Sequence, residues 1–175
     1  MDGFKILPGL PATGPMSVPF SATGQGKHSE GFVVEFQPAG GDSWVGNFAK
    51  GLTNFSSAVL HPNRRSVVLV SGGQVYIVDP VRRTLLETFG GWTQNLFAIP
   101  KRELLVFQTP LDFFAINPEG RVWETPRLAM DGFRSVRVQG SRIVGEAYDV
   151  GDAWIPFEID LDSGKVRGGS PYFRS

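Results

Sequence analysis

The chain is predicted to be all-β, built from repeated four-stranded antiparallel meanders. Three observations point there. The hairpin text VYIVDPVRRTLLETF (Val75 to Phe89) returns as FFAINPEGRVWETP from Phe113 and as WIPFEIDLDSGKVRGG from Trp154. Twenty-two glycines and thirteen prolines are spread between short apolar runs, the distribution that many strands with tight turns require. No segment combines 3.6-residue periodicity with caps, and the best helical candidate, Arg82 to Glu87, is too short and falls where a strand belongs.

The clear copies read in order. The first runs AVLHP (Ala58–Pro62), SVVLV (Ser66–Val70), VYIVD (Val75–Asp79) and TLLETF (Thr84–Phe89). The second runs LFAIP (Leu96–Pro100), LLVF (Leu104–Phe107), FFAIN (Phe113–Asn117) and RVWET (Arg121–Thr125). The third runs SVRV (Ser135–Val138), IVGEAY (Ile143–Tyr148), WIPFEID (Trp154–Asp160) and KVRGG from Lys165. A partial copy upstream is read from SVPFSA, GFVVEFQ and SWVGNF. The whole is taken as a single domain, residues 1–175, with repeats near 31–57, 58–91, 92–130 and 131–172. Residues 1–30 are either a strand pair or a loose N-terminal arm.

The turns have physical reasons. Pro80 and Pro118 end their strands because proline cannot donate to a ladder and presets φ for a turn. Gly120 and Gly164 stand where a hairpin needs positive φ. Asp160 and Asp162 are placed to accept bonds from turn amides. Trp44 and Trp123, inside strands, are assigned to packing.

A four-stranded unit of about forty residues is the period of a propeller blade. The hairpins IVDPVRRTLLET and IDLDSGKV resemble those of WD40, quinoprotein and related β-propeller repeats, where a strand ends in Asp and a short turn carries Gly. The resemblance covers about residues 58–169 and implies a small or partial β-propeller-like fold, with a β-sandwich or barrel as the alternative. No blade carries the Gly-His…Trp-Asp signature of a standard WD40 chain. The segment DGFRSVRVQGSRIVGEAYDVGDAWIPFEIDLDSGKVRGGS is also similar to the ends of small uncharacterised bacterial proteins, a likeness that implies no activity.

Bulk composition narrows the function classes. Hydrophobic residues at 41% and charged residues at 19% are those of a globular chain. Lys+Arg and Asp+Glu are 17 each, so the basic excess of a dedicated nucleic-acid binder is missing. With no cysteine, neither disulfides nor thiolate metal sites exist. No run is long enough for a signal-peptide core or a membrane span, and the expectation is a soluble, cytoplasmic protein.

Alternate turns of a meander leave at opposite ends of the strands, so the repeat sorts its loops. One set collects Arg64, Arg65, Arg82, Arg83, Lys101, Arg102, Arg121, Arg142 and Lys165. The other collects glycines with Trp92, Asn95, Asp112, Asp131, Phe133, Asp149, Asp152 and Trp154, which are the candidate binding residues. Rigid aromatics beside hydrogen-bonding and acidic groups on loops are the material of a recognition surface.

Chemistry is harder to find. His28 and His61 are far apart in sequence, and no G-x-S-x-G elbow is present. The loop DVGDAW supplies two carboxylates, Asp149 and Asp152, fewer than a calcium loop needs. The expectation is therefore a non-enzymatic module that binds another protein, with no cofactor and no metal. Neutralising a bacterial toxin or effector would be a natural role. The alternatives are a carbohydrate-binding or carbohydrate-processing protein that stacks sugars on the same tryptophans, and a structural protomer that closes its sheet by homo-oligomerising.

Overall fold

The computed structural model describes residues 3–24, 26 and 28–173, and these form four four-stranded sheets. The chain divides into two compact units, Met1–Thr93 and Gln94–Ser175, with two sheets in each. The fold is all-β, with the repeated four-stranded meander as its unit.

In the first unit, β1 (Gly3–Leu7), β2 (Val18–Phe20), β3 (Phe32–Gln37) and β4 (Trp44–Phe48) form a sheet of order β1-β3-β4-β2. The partial copy read upstream thus supplies β2 to β4, and Gly3–Leu7 supplies the remaining strand. Its connectivity is not the simple meander of the other copies. β1 runs antiparallel to β3, while β2 runs parallel to β4. Within residues 1–30, β1 and β2 therefore pair with later strands and not with each other. Residues 1, 2, 25 and 27 of that segment lie outside the described residues. The second sheet is β5 (Ser57–Leu60), β6 (Val67–Ser71), β7 (Gln74–Asp79) and β8 (Thr84–Gly90), paired in sequence order.

The second unit repeats that meander twice. β9 (Asn95–Ile99), β10 (Leu104–Gln108), β11 (Phe113–Asn117) and β12 (Gly120–Glu124) form the third sheet. β13 (Phe133–Gln139), β14 (Arg142–Asp149), β15 (Ala153–Asp160) and β16 (Val166–Gly168) form the fourth.

The recurring hairpin has a recurring cause. Asp79 Oδ1 accepts from the amides of Val81 and Arg82, both at 2.9 Å. Asn117 Oδ1 accepts from Glu119 and Gly120 at 2.9 and 3.1 Å. Asp160 Oδ1 accepts from Asp162 and Ser163 at 3.2 and 2.9 Å. Each is the last residue of the third strand in its meander. Its side chain caps the amides two and three residues on, which turns the chain tightly into the fourth strand.

Each unit buries one shared core between its two sheets. In the first, Phe20, Phe36, Trp44 and Phe48 meet Val67, Leu69, Tyr76 and Val78. In the second, Val106, Phe113, Ala115 and Trp123 meet Ile143, Ala147, Phe157 and Ile159. Burying a side chain of this size contributes roughly 1.5–3 kcal/mol. A tryptophan ties the sheets together in both units. Trp44 Nε1 donates to Pro80 O at 2.8 Å, and Trp123 Nε1 donates to Leu161 O at 2.9 Å. Both acceptors directly follow the turn-capping aspartate of the partner sheet.

Trp123 lies so close to the β15–β16 turn that a Cβ on Gly164 would sit 2.8 Å from the indole. Gly164 also has φ +67°, whereas Gly140 has φ +61° with open space around it. The two form a matched pair for experiment. Gly140→Ala should cost about 1–2 kcal/mol, the left-handed backbone penalty alone. Gly164→Ala should cost about 1–3 kcal/mol more, because the indole must move. Urea denaturation of both variants checks the difference.

Candidate functional site

In the second unit, one end is knitted together from the loops between β10 and β11, β12 and β13, and β14 and β15. Leu128 N donates to Leu111 O at 2.7 Å, and Gly132 N donates to Pro110 O at 2.7 Å. Met130 N donates to Tyr148 O at 2.8 Å, and Tyr148 N donates to Gly132 O at 3.0 Å. These bonds satisfy loop amides that would otherwise need water, and they fix the loops against one another.

The candidate residues divide on this frame. Asp149 is only 5% exposed and its Oδ1 accepts from Ser170 Oγ at 2.8 Å, which anchors the chain after β16. Phe133 packs on Phe113 and Phe157, with ring centroids 4.8 and 5.2 Å away. Both were expected as contact residues, and both serve the interior. Asp112 Oδ1 takes the Thr109 hydroxyl at 2.7 Å within its own turn, and Asn95 Oδ1 accepts from Leu96 N. Asp149 and Asp152 take separate partners, Ser170 and Tyr148, and the described residues contain no group of three or more His, Cys, Asp or Glu able to hold a metal ion.

Trp154 and Asp152 belong to an outward-facing cluster. Antiparallel register sets Tyr148 opposite Trp154 and Arg134 opposite Glu146. The Tyr148 and Trp154 rings meet edge to face at 5.3 Å. The Arg134 guanidinium lies 4.4 Å over the Trp154 ring. Its Nε and Nη2 donate to the two Glu146 carboxylate oxygens at 2.8 and 3.2 Å. That fork holds the Glu146 carboxyl below its ordinary range and raises Arg134 further. Tyr148 OH donates to Asp152 Oδ1 at 2.7 Å. This bond and the Asp152 charge raise the Tyr148 pKa, with a smaller push from exposed Asp131.

Sequence reasoning missed Arg134 and Tyr148 as members of this cluster. The strand expected from Ser135 begins at Phe133, with a bulge between Arg134 and Arg137 and Ser135 at φ +55°. A bulge breaks the period of two, so alternation does not reveal that Arg134 shares a face with Glu146. Cross-strand pairing of Tyr148 with Trp154 would have been the usable signal.

Trp92 lies in the first unit, on a different platform. Leu52 N donates to Gly91 O, Thr53 N to Gly72 O, and Thr93 N to Gly73 O. Thr53 Oγ1 closes the arrangement on Thr93 O at 2.8 Å. Held by these bonds, Trp92 is 57% exposed and Leu52 67% exposed. His61 is buried in a turn, where its Nδ1 accepts from Asn63 N at 3.1 Å. Burial lowers its pKa, and the turn uses the neutral ring.

The Tyr148–Asp152 bond gives a readable titration. Because the folded pKa is raised above the ordinary 10.0, the contact stabilises the fold below that pH and is lost as pH rises through the folded value. Tyrosine-labelled NMR should show Tyr148 ionising above 10.0, and Asp152→Ala should lower its pKa.

No family model matches the chain, and no curated protein matches it. Among solved structures, the chain is similar to the crystal structure of BamB from Moraxella catarrhalis, at 9% identity and a TM-score of 0.46. The match covers 82% of this chain and 46% of that one, so the chain spans less than half the length of that structure.

Proposed function

We propose that the protein is a non-enzymatic binding module that recognises another protein through its Trp- and Asp-bearing loop end. The observation that carries this reading is the Tyr148–Trp154–Arg134 cluster. Tryptophan, tyrosine and arginine are the residue types that dominate binding hot spots, and here their geometry is set before any partner arrives. Arg134 is anchored by Glu146 and Tyr148 by Asp152, so little side-chain freedom remains to be lost on association. Asp131 and Asp152 supply an acidic rim, suited to a partner with basic groups around an apolar centre. Trp92 and Leu52 offer a second apolar patch on the first unit.

Neutralisation of a toxin or effector, the narrower role expected from the sequence, is one form of this activity. The carbohydrate reading fits Trp154 less well, because the Arg134 guanidinium already occupies one face of the ring.

The test is capture from native-source lysate by the wild type and by Trp154→Ala and Arg134→Ala variants, with Arg121→Ala as a control away from the cluster. A partner should bind wild type and control, and each cluster variant should lose at least about 2 kcal/mol of affinity, roughly thirtyfold. Melting curves confirm that the variants remain folded. A partner bound equally by folded cluster variants, or a response to glycans in place of proteins, would contradict the proposal.

A further inference from the structure

The fourth sheet carries a second feature, used by neither the core nor the loop-end cluster. Arg142, Glu158, Asp160, Ser163, Lys165 and Arg167 line a polar cleft of about 350 Å³ where β14, β15 and β16 run into the β15–β16 turn. Strand register assembles it. Arg142 stands opposite Asp160, and Glu158 stands opposite Arg167.

The two carboxylates are already engaged. Glu158 Oε2 accepts from Arg142 Nη1 at 2.6 Å. Asp160 Oδ1 accepts from Ser163 Oγ at 2.7 Å and from the Ser163 and Asp162 amides. Those bonds, the Ser163 hydroxyl first, hold the Asp160 carboxyl below its ordinary range. Arg102, near the same turn, pairs with Asp162. Lys165 and Arg167 are different: both are exposed, and among the described residues neither side chain donates a hydrogen bond or joins an ion pair. Three cations against two carboxylates leave the cleft with one net positive charge, concentrated on this pair.

We propose that the cleft binds the phosphoryl group of a small polar ligand through Lys165 and Arg167. Residues two apart on an extended chain project to one face with Cα atoms about 7 Å apart, a gap that one tetrahedral oxyanion can bridge. A guanidinium fork beside an ammonium point charge suits a phosphate dianion better than a lone carboxylate. The Arg142–Glu158 pair forms the wall, and it keeps Glu158 from competing for Arg167.

Amide-resolved NMR of the whole chain at low ionic strength tests this, with inorganic phosphate and acetate titrated separately at matched ionic strength. Phosphate should shift the amides from Ser163 to Arg167 saturably, and acetate should do so far more weakly. Lys165→Gln/Arg167→Gln should weaken the phosphate response about tenfold or more. Arg134→Gln, in the loop-end cluster, should leave it unchanged. The same spectra report whether each variant is folded. Absence of a saturable response, an equal response to acetate, or an undiminished response in the folded double variant would overturn the assignment.

Discussion

Each unit depends on an indole N–H reaching across to a turn carbonyl in the partner sheet. A four-stranded meander has an apolar face that it cannot bury alone, so it needs a second sheet, and dispersion alone leaves two such faces free to slide. The bonds from Trp44 to Pro80 O and from Trp123 to Leu161 O remove that freedom. Each is formed at a buried position, where an unpaired carbonyl would cost about 1–3 kcal/mol. The acceptor comes immediately after a strand-ending aspartate in both units. The side chain that shapes the turn therefore also presents the carbonyl that the tryptophan binds.

The fourth sheet also carries the surface cluster. Strand pairing within that sheet sets Arg134, Glu146, Tyr148 and Trp154 on one face, at the opposite strand end from the β15–β16 turn. The loop end then completes itself through backbone bonds among residues 110–132 and 148. The surface cluster is thus ordered by strands, and loops contribute its acidic rim.

Much of the architecture was legible because turn chemistry is local. Asp79, Asn117 and Asp160 act on amides two and three residues away, so short stretches of text suffice to place those hairpins. Strand ends in the three clear copies fall within two residues of those expected. What was not legible is non-local. β1 has only a short text, GFKIL, with no sustained alternation, and its pairing with β3, some thirty residues on, makes it a strand. The parallel contact of β2 with β4 has no local signature either. The site was partly legible for the same reasons. Loop position grouped Asp131, Asp152 and Trp154 with Asp149 and Phe133, and it could not show that the last two side chains turn inward. Side-chain direction at a strand end depends on register, and a bulge such as the one at Ser135 resets it.

Hydrogen exchange measured by mass spectrometry on wild type and Trp123→Phe addresses the clasp most directly. The substitution keeps an aromatic ring in the core and removes only the donor and part of the indole. Faster exchange should appear across β15, β16 and the turn at Asp160–Lys165, with protection of β3, β4, β6 and β7 in the first unit unchanged. Unchanged exchange at that turn, or a uniform loss of protection through both units, would contradict the claim that each sheet pair is held by its own indole-to-turn bond.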